Sequence, residues 1–220
     1  MSATHPVVLM DKDGNSMEPQ GSAMEQITVD LSVQTYARAG SAVFNKTKEK
    51  WGEFSNMCAG FPLRVNGAEI RTAEALYQAL RFPDHPEVQR QIIDEPSPKG
   101  AKMKSKKHRK ELGRKDWDQI QVQVMWWCLR VKLAQNFDNF GAALWITESR
   151  PIVEESAADM FWGAKDRGDG TLVGANVLGK LLMELRARYK ADPKLLRTVP
   201  APGIGSFRVM GQEIGTITTT

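Results

Sequence analysis

The chain has 220 residues, is 41% hydrophobic and carries a net charge of +4. That length and apolar content suit one full domain with extensions or two small ones, and they exclude a chain too polar to build a core. No apolar run is long enough for a membrane-spanning helix, and residues 1–20 lack a basic segment followed by an apolar one, so a cytoplasmic protein without membrane contact is expected.

The first 40 residues read as an N-terminal extension, polar and aperiodic up to Gly21, with one alternating stretch from Ile27 to Val33 that suits a half-buried strand. A compact core is expected over residues 41–190. Ala42-Val43-Phe44 reads as a short strand. Trp51 to Met57 has little helix or strand character. It is either a plain loop or a ligand loop, with Ser55 and Asn56 as hydrogen-bonding groups. Phe61 to Ile70 reads as a hairpin turning at Asn66-Gly67. Thr72 suits the N-cap of a helix running to Arg81, stopped by Pro83 and Pro86. On that helix Glu74, Tyr77, Gln78 and Arg81 share a face, which is either solvated or the wall of a pocket.

A short helix is expected over 86–94, and Ser97-Pro98 opens another. The run Lys99, Lys102, Lys104, Lys106, Lys107, Arg109, Lys110, Arg114 and Lys115 is either a solvated face or a phosphate-binding strip. Asp116 to Phe137 is the longest helical candidate, apolar on several sides and therefore central. Core packing accounts for Trp126 and Trp127. Phe140 to Ile146 predicts a further helix, Pro151 to Glu154 an extended segment and Leu178 to Tyr189 a closing helix. Asp159 either caps a turn or shares a site with Trp162. The segment from Ala191 reads as a C-terminal tail, frayed at its end.

Cys58 and Cys128 each stand beside apolar residues and read as free thiols. His5, His85 and His108 share no ligand spacing, so no metal and no cofactor is expected.

Several segments occur in an order that resembles the NADAR family, also called YbiA-like. They are Gly52-Glu53-Phe54-Ser55-Asn56, Thr72-Ala73-Glu74 with Tyr77-Gln78-Ala79, Ser97-Pro98, Lys102, Trp117 and Val124-Met125. Val153-Glu154, Asp159, Phe161-Trp162-Gly163, Asn176, Leu178-Gly179 and Leu182 to Arg186 follow. The likeness spans residues 43–189. The chain departs from it at Ala75, where many relatives have His, at Arg81, where many have Lys, and over Ala164 to Arg167.

The resemblance implies an α+β, helix-dominated single domain with a small antiparallel sheet, occupying residues 41–190 between an extension (1–40) and a tail (191–220). It implies an N-glycosidase on ribose-type N-glycosides. Some relatives hydrolyse phosphorylated riboflavin-pathway intermediates. Others, often beside DarT-type toxins, remove ADP-ribose from guanine in nucleic acid, and this second substrate is the one expected here.

Glu74 and Asp159 are the implied catalytic carboxylates, and Lys102 is the candidate for a Schiff-base route. Gly52, Glu53, Phe54, Ser55, Asn56, Tyr77, Trp117, Trp162, Gly163 and Asn176 are the implied substrate-binding residues. Trp162 and Phe54 are expected to sandwich the base or ribose.

Overall fold

The computed structural model describes residues 27–219. The N-terminal extension up to residue 26 lies outside them. The fold is α+β and helix-dominated, with small antiparallel sheets around the helices.

The centre is helix α4 (Trp117–Gln135), in which every side chain from Val124 to Ala134 is buried. Its several apolar faces are used by different neighbours: α1 (Ala73–Ala79), α5 (Phe137–Ile146) and α6 (Val177–Ala191) all pack on it. Helices α2 (Pro86–Ile93) and α3 (Pro98–Leu112) pack on α1 and on each other. Trp126 and Trp127 are core residues, as their spacing predicts.

The caps follow the sequence. Thr72 Oγ1 accepts from the Ala75 N–H at 3.2 Å, and Ser97 Oγ accepts from the Gly100 N–H at 3.3 Å. Strands β3 (Leu63–Val65) and β4 (Ala68–Ile70) form the expected hairpin, its turn made by Asn66 at φ 48° and Gly67 at φ 75°.

The first strand lies later than the alternation predicts. β1 is Gln34–Ala37, and residues 27–33 are irregular. The reason is local competition for the backbone. The Asp30 carboxylate accepts from the Ser32 N–H at 2.8 Å, and Lys180 Nζ donates to the carbonyls of Asp30 at 2.7 Å and Ser32 at 3.0 Å. Those carbonyls are thereby removed from any ladder.

β1 pairs antiparallel with β7 (Thr171–Gly174), which pairs antiparallel with β6 (Lys165–Asp166). β2 (Ala42–Phe44) runs parallel to β5 (Ile152–Glu154), with Phe44 opposite Glu154. That register carries Glu154 out of the core at the end of a buried strand.

The C-terminal segment is packed rather than free. Phe207 meets Trp127 edge-on at 4.9 Å, and Trp127 Nε1 donates to the Pro200 carbonyl at 3.0 Å. Asn66 Nδ2 donates to the carbonyls of Val209 at 3.1 Å and Gln212 at 2.9 Å. Ile217 and Thr218, in the stretch expected to fray, are held by a pairing of β8 (Thr198–Val199) with β9 (Ile217–Thr218). The segment thus packs along α4 and reaches the hairpin at its turn.

Candidate active site

Helix α1 supplies one wall of the site. Its first turn is tied to the preceding loop by the Glu74 N–H, which donates to the Asn56 carbonyl at 2.9 Å. Glu74 is 7% exposed, so the solvated alternative for its face does not hold. Gln78 Nε2 donates to Glu74 Oε1 at 2.9 Å, and Arg109 from α3 donates to Gln78 Oε1 at 3.0 Å. The amide therefore relays a carboxylate to a cation.

One turn on, Arg81 lies over the Trp117 ring at 4.0 Å and beside Tyr77 at 5.5 Å. Burial pushes the Arg81 guanidinium down to about 10, still cationic at neutral pH, with Tyr77 opposing the shift. Burial also raises the Tyr77 phenol. Tyr77 Oη, Arg81 Nε and Trp117 Nε1 are buried without a hydrogen-bond partner among the described residues.

The loop expected to hold ligand has a divided role. Ser55 and Asn56 line the cavity, and Asn56 Nδ2 points to Met125 Sδ at 2.9 Å, leaving its Oδ1 without a partner. Gly52, Glu53 and Phe54 do not line it. They form a short 3-10 turn. A Cβ at Gly52 would lie 2.5 Å from the Thr47 carbonyl oxygen, so glycine there permits close packing of backbone.

Phe54 is fully buried against Phe44 and Phe140. The expected sandwich of Phe54 and Trp162 around a base is thus not formed, because the Phe54 ring belongs to the core. The Glu53 carbonyl accepts from Lys132 Nζ at 2.6 Å, and the Ser55 carbonyl accepts from the same amine at 3.3 Å. Lys132 on α4 is buried, lies over the rings of Phe140 and Phe61, and is pushed down to about 7 by that burial. Sequence reading missed this anchor, since a lysine in an apolar helix carries no signal of which carbonyls it will meet.

The opposite wall comes from the end of β5 and the loop after it. Glu154 lines the cavity and its carboxyl is raised to about 7, first by burial and then by the charges of Glu74 and Asp159, with Lys102 opposing. Asp159 Oδ1 accepts from the N–H groups of Phe161 at 3.1 Å and Trp162 at 2.9 Å. Both alternatives for Asp159 hold together: it caps the turn and lines the cavity. Trp162 also lines the cavity, edge-on to Tyr77 at 5.8 Å.

Gly163 and Asn176, expected to touch ligand, support the wall instead. A Cβ at Gly163 would lie 2.7 Å from the Glu154 carbonyl oxygen. Asn176, at φ 49° and fully buried, accepts from the Glu154 N–H at 3.0 Å and donates to the Ile152 carbonyl at 2.9 Å. Its side chain is spent on clamping β5. Glu154 stands in the family-like motif, where the sequence alone assigns it no role. The pattern Ile152-Val153-Glu154, a carboxylate ending a buried strand, was the available signal.

These walls enclose one cavity of about 790 Å³. Its lining is mixed in charge: Glu74, Glu154, Glu155 and Asp159 stand among Lys46, Lys99, Lys102, Arg81 and Arg109. The basic run is therefore divided by helix geometry. Lys99, Lys102 and Arg109 of α3 face the cavity, Lys104 pairs with Glu95 at 2.8 Å, and Arg114 pairs with Asp116 at 2.7 Å. Trp117 stands behind Arg81 rather than in the cavity wall. No group of His, Cys, Asp and Glu among the described residues is arranged to hold a metal ion.

Comparison with known proteins identifies the relatives of the chain. The NADAR domain model matches residues 43–190. The chain is 37% identical over 149 residues to N-glycosidase YbiA of Shigella boydii, covering 68% of this chain and 88% of that protein. N-glycosidase YbiA of Escherichia coli K12 is 37% identical over the same length. The chain is also 31% identical over 200 residues to the chloroplastic riboflavin biosynthesis protein PYRR of Zea mays, which covers 84% of this chain and 30% of that one. The NMR structure of Escherichia coli YbiA superposes with a TM-score of 0.57 at 33% identity, over 70% of this chain and 88% of that one. With the family pattern spanning the whole of the helical core that builds the cavity, the chain belongs to the NADAR family.

Proposed function

We propose that the protein hydrolyses the N-glycosidic bond of a phosphorylated ribose N-glycoside, with ADP-ribosylated guanine in DNA or RNA as its substrate. One observation carries this reading. Glu154, Glu74 and Asp159 converge on a cavity that lysines and arginines also line, and Glu154 is held protonated up to about pH 7. The names of the relatives, N-glycosidase YbiA, support the reaction class.

In this mechanism the bond from C1′ to the base nitrogen breaks, and its electron pair leaves with the base. The nitrogen takes the proton of Glu154. Positive charge spreads over C1′ and the ring oxygen, and an ionised carboxylate stabilises it. Water adds to C1′ and passes its proton to a carboxylate. Glu74 and Asp159 divide these two roles. Trp162 stacks on the base or sugar, and Lys99, Lys102, Arg81 and Arg109 neutralise the phosphates. An ADP-ribosyltransferase of the DarT type would supply the modified guanine.

A second reading, hydrolysis of phosphorylated riboflavin intermediates, is favoured by the similarity to riboflavin biosynthesis protein PYRR over 200 residues. Incubation with an ADP-ribosylated guanine oligonucleotide and with riboflavin intermediates, followed by chromatography of released base or sugar, separates the two. Release from neither leaves a binding module without turnover. A Schiff base on Lys102 would instead be trapped by borohydride as an adduct that Lys102→Ala abolishes.

A further inference from the structure

A second cavity of about 250 Å³ opens where α3 ends and α4 begins. Arg81 and Arg109 line both this cavity and the large cleft, so the two share a wall. Lys110, Arg114 and Lys115 add three more cations, and the lining carboxylate is Asp118. Arg114 is fixed in place by Asp116 at 2.7 and 2.9 Å and by the Gly205 carbonyl at 2.9 Å. Lys110 and Lys115 are exposed and form no ion pair among the described residues.

Arg81 and Trp117 of the same wall lie against Tyr77, and their Nε and Nε1 donors are buried without a well-formed hydrogen bond among the described residues. Trp117 is 5% exposed, so its N–H cannot be satisfied by bulk water. The site also receives the N-terminal end of α4, a helix of 19 residues whose N-cap Asp116 makes no side-chain cap bond. The C-terminal end of α3 opposes that field, and the side-chain cations outweigh it.

We propose that this basic pocket binds a second phosphate group of the substrate, distal to the bond that breaks. The inference rests on the large cleft being the N-glycoside site. A ligand that fills the cleft and continues past Arg81 and Arg109 would bring its next phosphate to Lys110 and Lys115. The pocket is then a device for selecting substrates with more than one phosphate over those with a single terminal one.

The test is a binding measurement without turnover, so that its failure is distinct from failure of the glycosidase reading. Inorganic pyrophosphate is titrated calorimetrically into the wild-type chain and into a Lys110→Ala/Lys115→Ala double variant, whose folding is checked by circular dichroism. Loss of two charge-assisted contacts is expected to weaken affinity by about tenfold or more. Asp118→Asn, which removes the opposing charge, is expected to tighten it. Equal affinity in the wild type and the double variant, or no binding to the wild type, overturns the proposal. ADP-ribose and a short single-stranded oligonucleotide are titrated in the same way. The one that loses affinity in the double variant is the source of the second phosphate, and no loss for either also overturns it.

Discussion

Glu154 holds a proton in the range where most carboxylates have lost theirs, because burial and two neighbouring acids oppose its ionisation. The consequence for stability has a definite sign. Its folded value, about 7, lies above its unfolded value, so stability is lost as pH rises from the ordinary carboxylate range through about 7. Glu154→Gln removes that loss. Thermal melts followed by circular dichroism should show the variant more stable than wild type at pH 8 and little different at pH 4. The same variant should lower turnover by about a hundredfold or more, the usual worth of a general acid, and should flatten the decline of the wild-type rate above pH 7. Glu74→Gln keeps the bond to Gln78 in shape but loses the anion. Ligand binding, read by calorimetry, should persist while turnover is lost.

Two elements carry the site without touching it, and each makes a prediction. Asn176 bonds two backbone groups of β5. Asn176→Ala orphans both, at a cost of about 1–3 kcal/mol for each. The melting temperature should fall and, because Glu154 ends β5, the alkaline limb of the rate profile should shift with it. Lys132 closes the loop from Gly52 to Ser55 through two carbonyls. In Lys132→Met the N–H groups of that loop and of Glu74 should exchange with solvent faster, read by hydrogen-exchange mass spectrometry. Unchanged protection there would mean that Lys132 does not hold the loop.

At this scale most of the elements were legible. Caps, prolines and apolar stripes mark the helices within a few residues, and Asn66-Gly67 marks the hairpin. What the sequence hides is long-range. Phe54 and Trp162 look equally available in a motif, yet one ring enters the core and the other the cleft. Gly163 and Asn176 look like ligand contacts, yet both serve the backbone of β5. Glu154 gains its character only when two carboxylates distant in sequence are folded beside it.

The molecule as a whole is a helical core belted by its C-terminal segment. Phe207 and the Pro200 carbonyl seal Trp127, and Gln89 bonds both the Arg208 carbonyl at 2.9 Å and the Met210 N–H at 2.7 Å. Read from sequence, this stretch was a tail, because its prolines and glycines give no periodicity. Phe207→Ala should cost about 3–5 kcal/mol, the usual loss for a buried aromatic, measured by denaturant unfolding. A smaller cost would mean that the belt is only loosely applied.

The central claim is that the cleft between α1 and the end of β5 breaks an N-glycosidic bond. The most direct measurement is release of guanine-containing nucleic acid and free ADP-ribose from an ADP-ribosylated guanine oligonucleotide, followed by mass spectrometry for wild type, Glu74→Gln and Glu154→Gln side by side. The account predicts release by wild type and loss of it in both variants while each still binds ADP-ribose. Release that proceeds at the wild-type rate in both variants would contradict it.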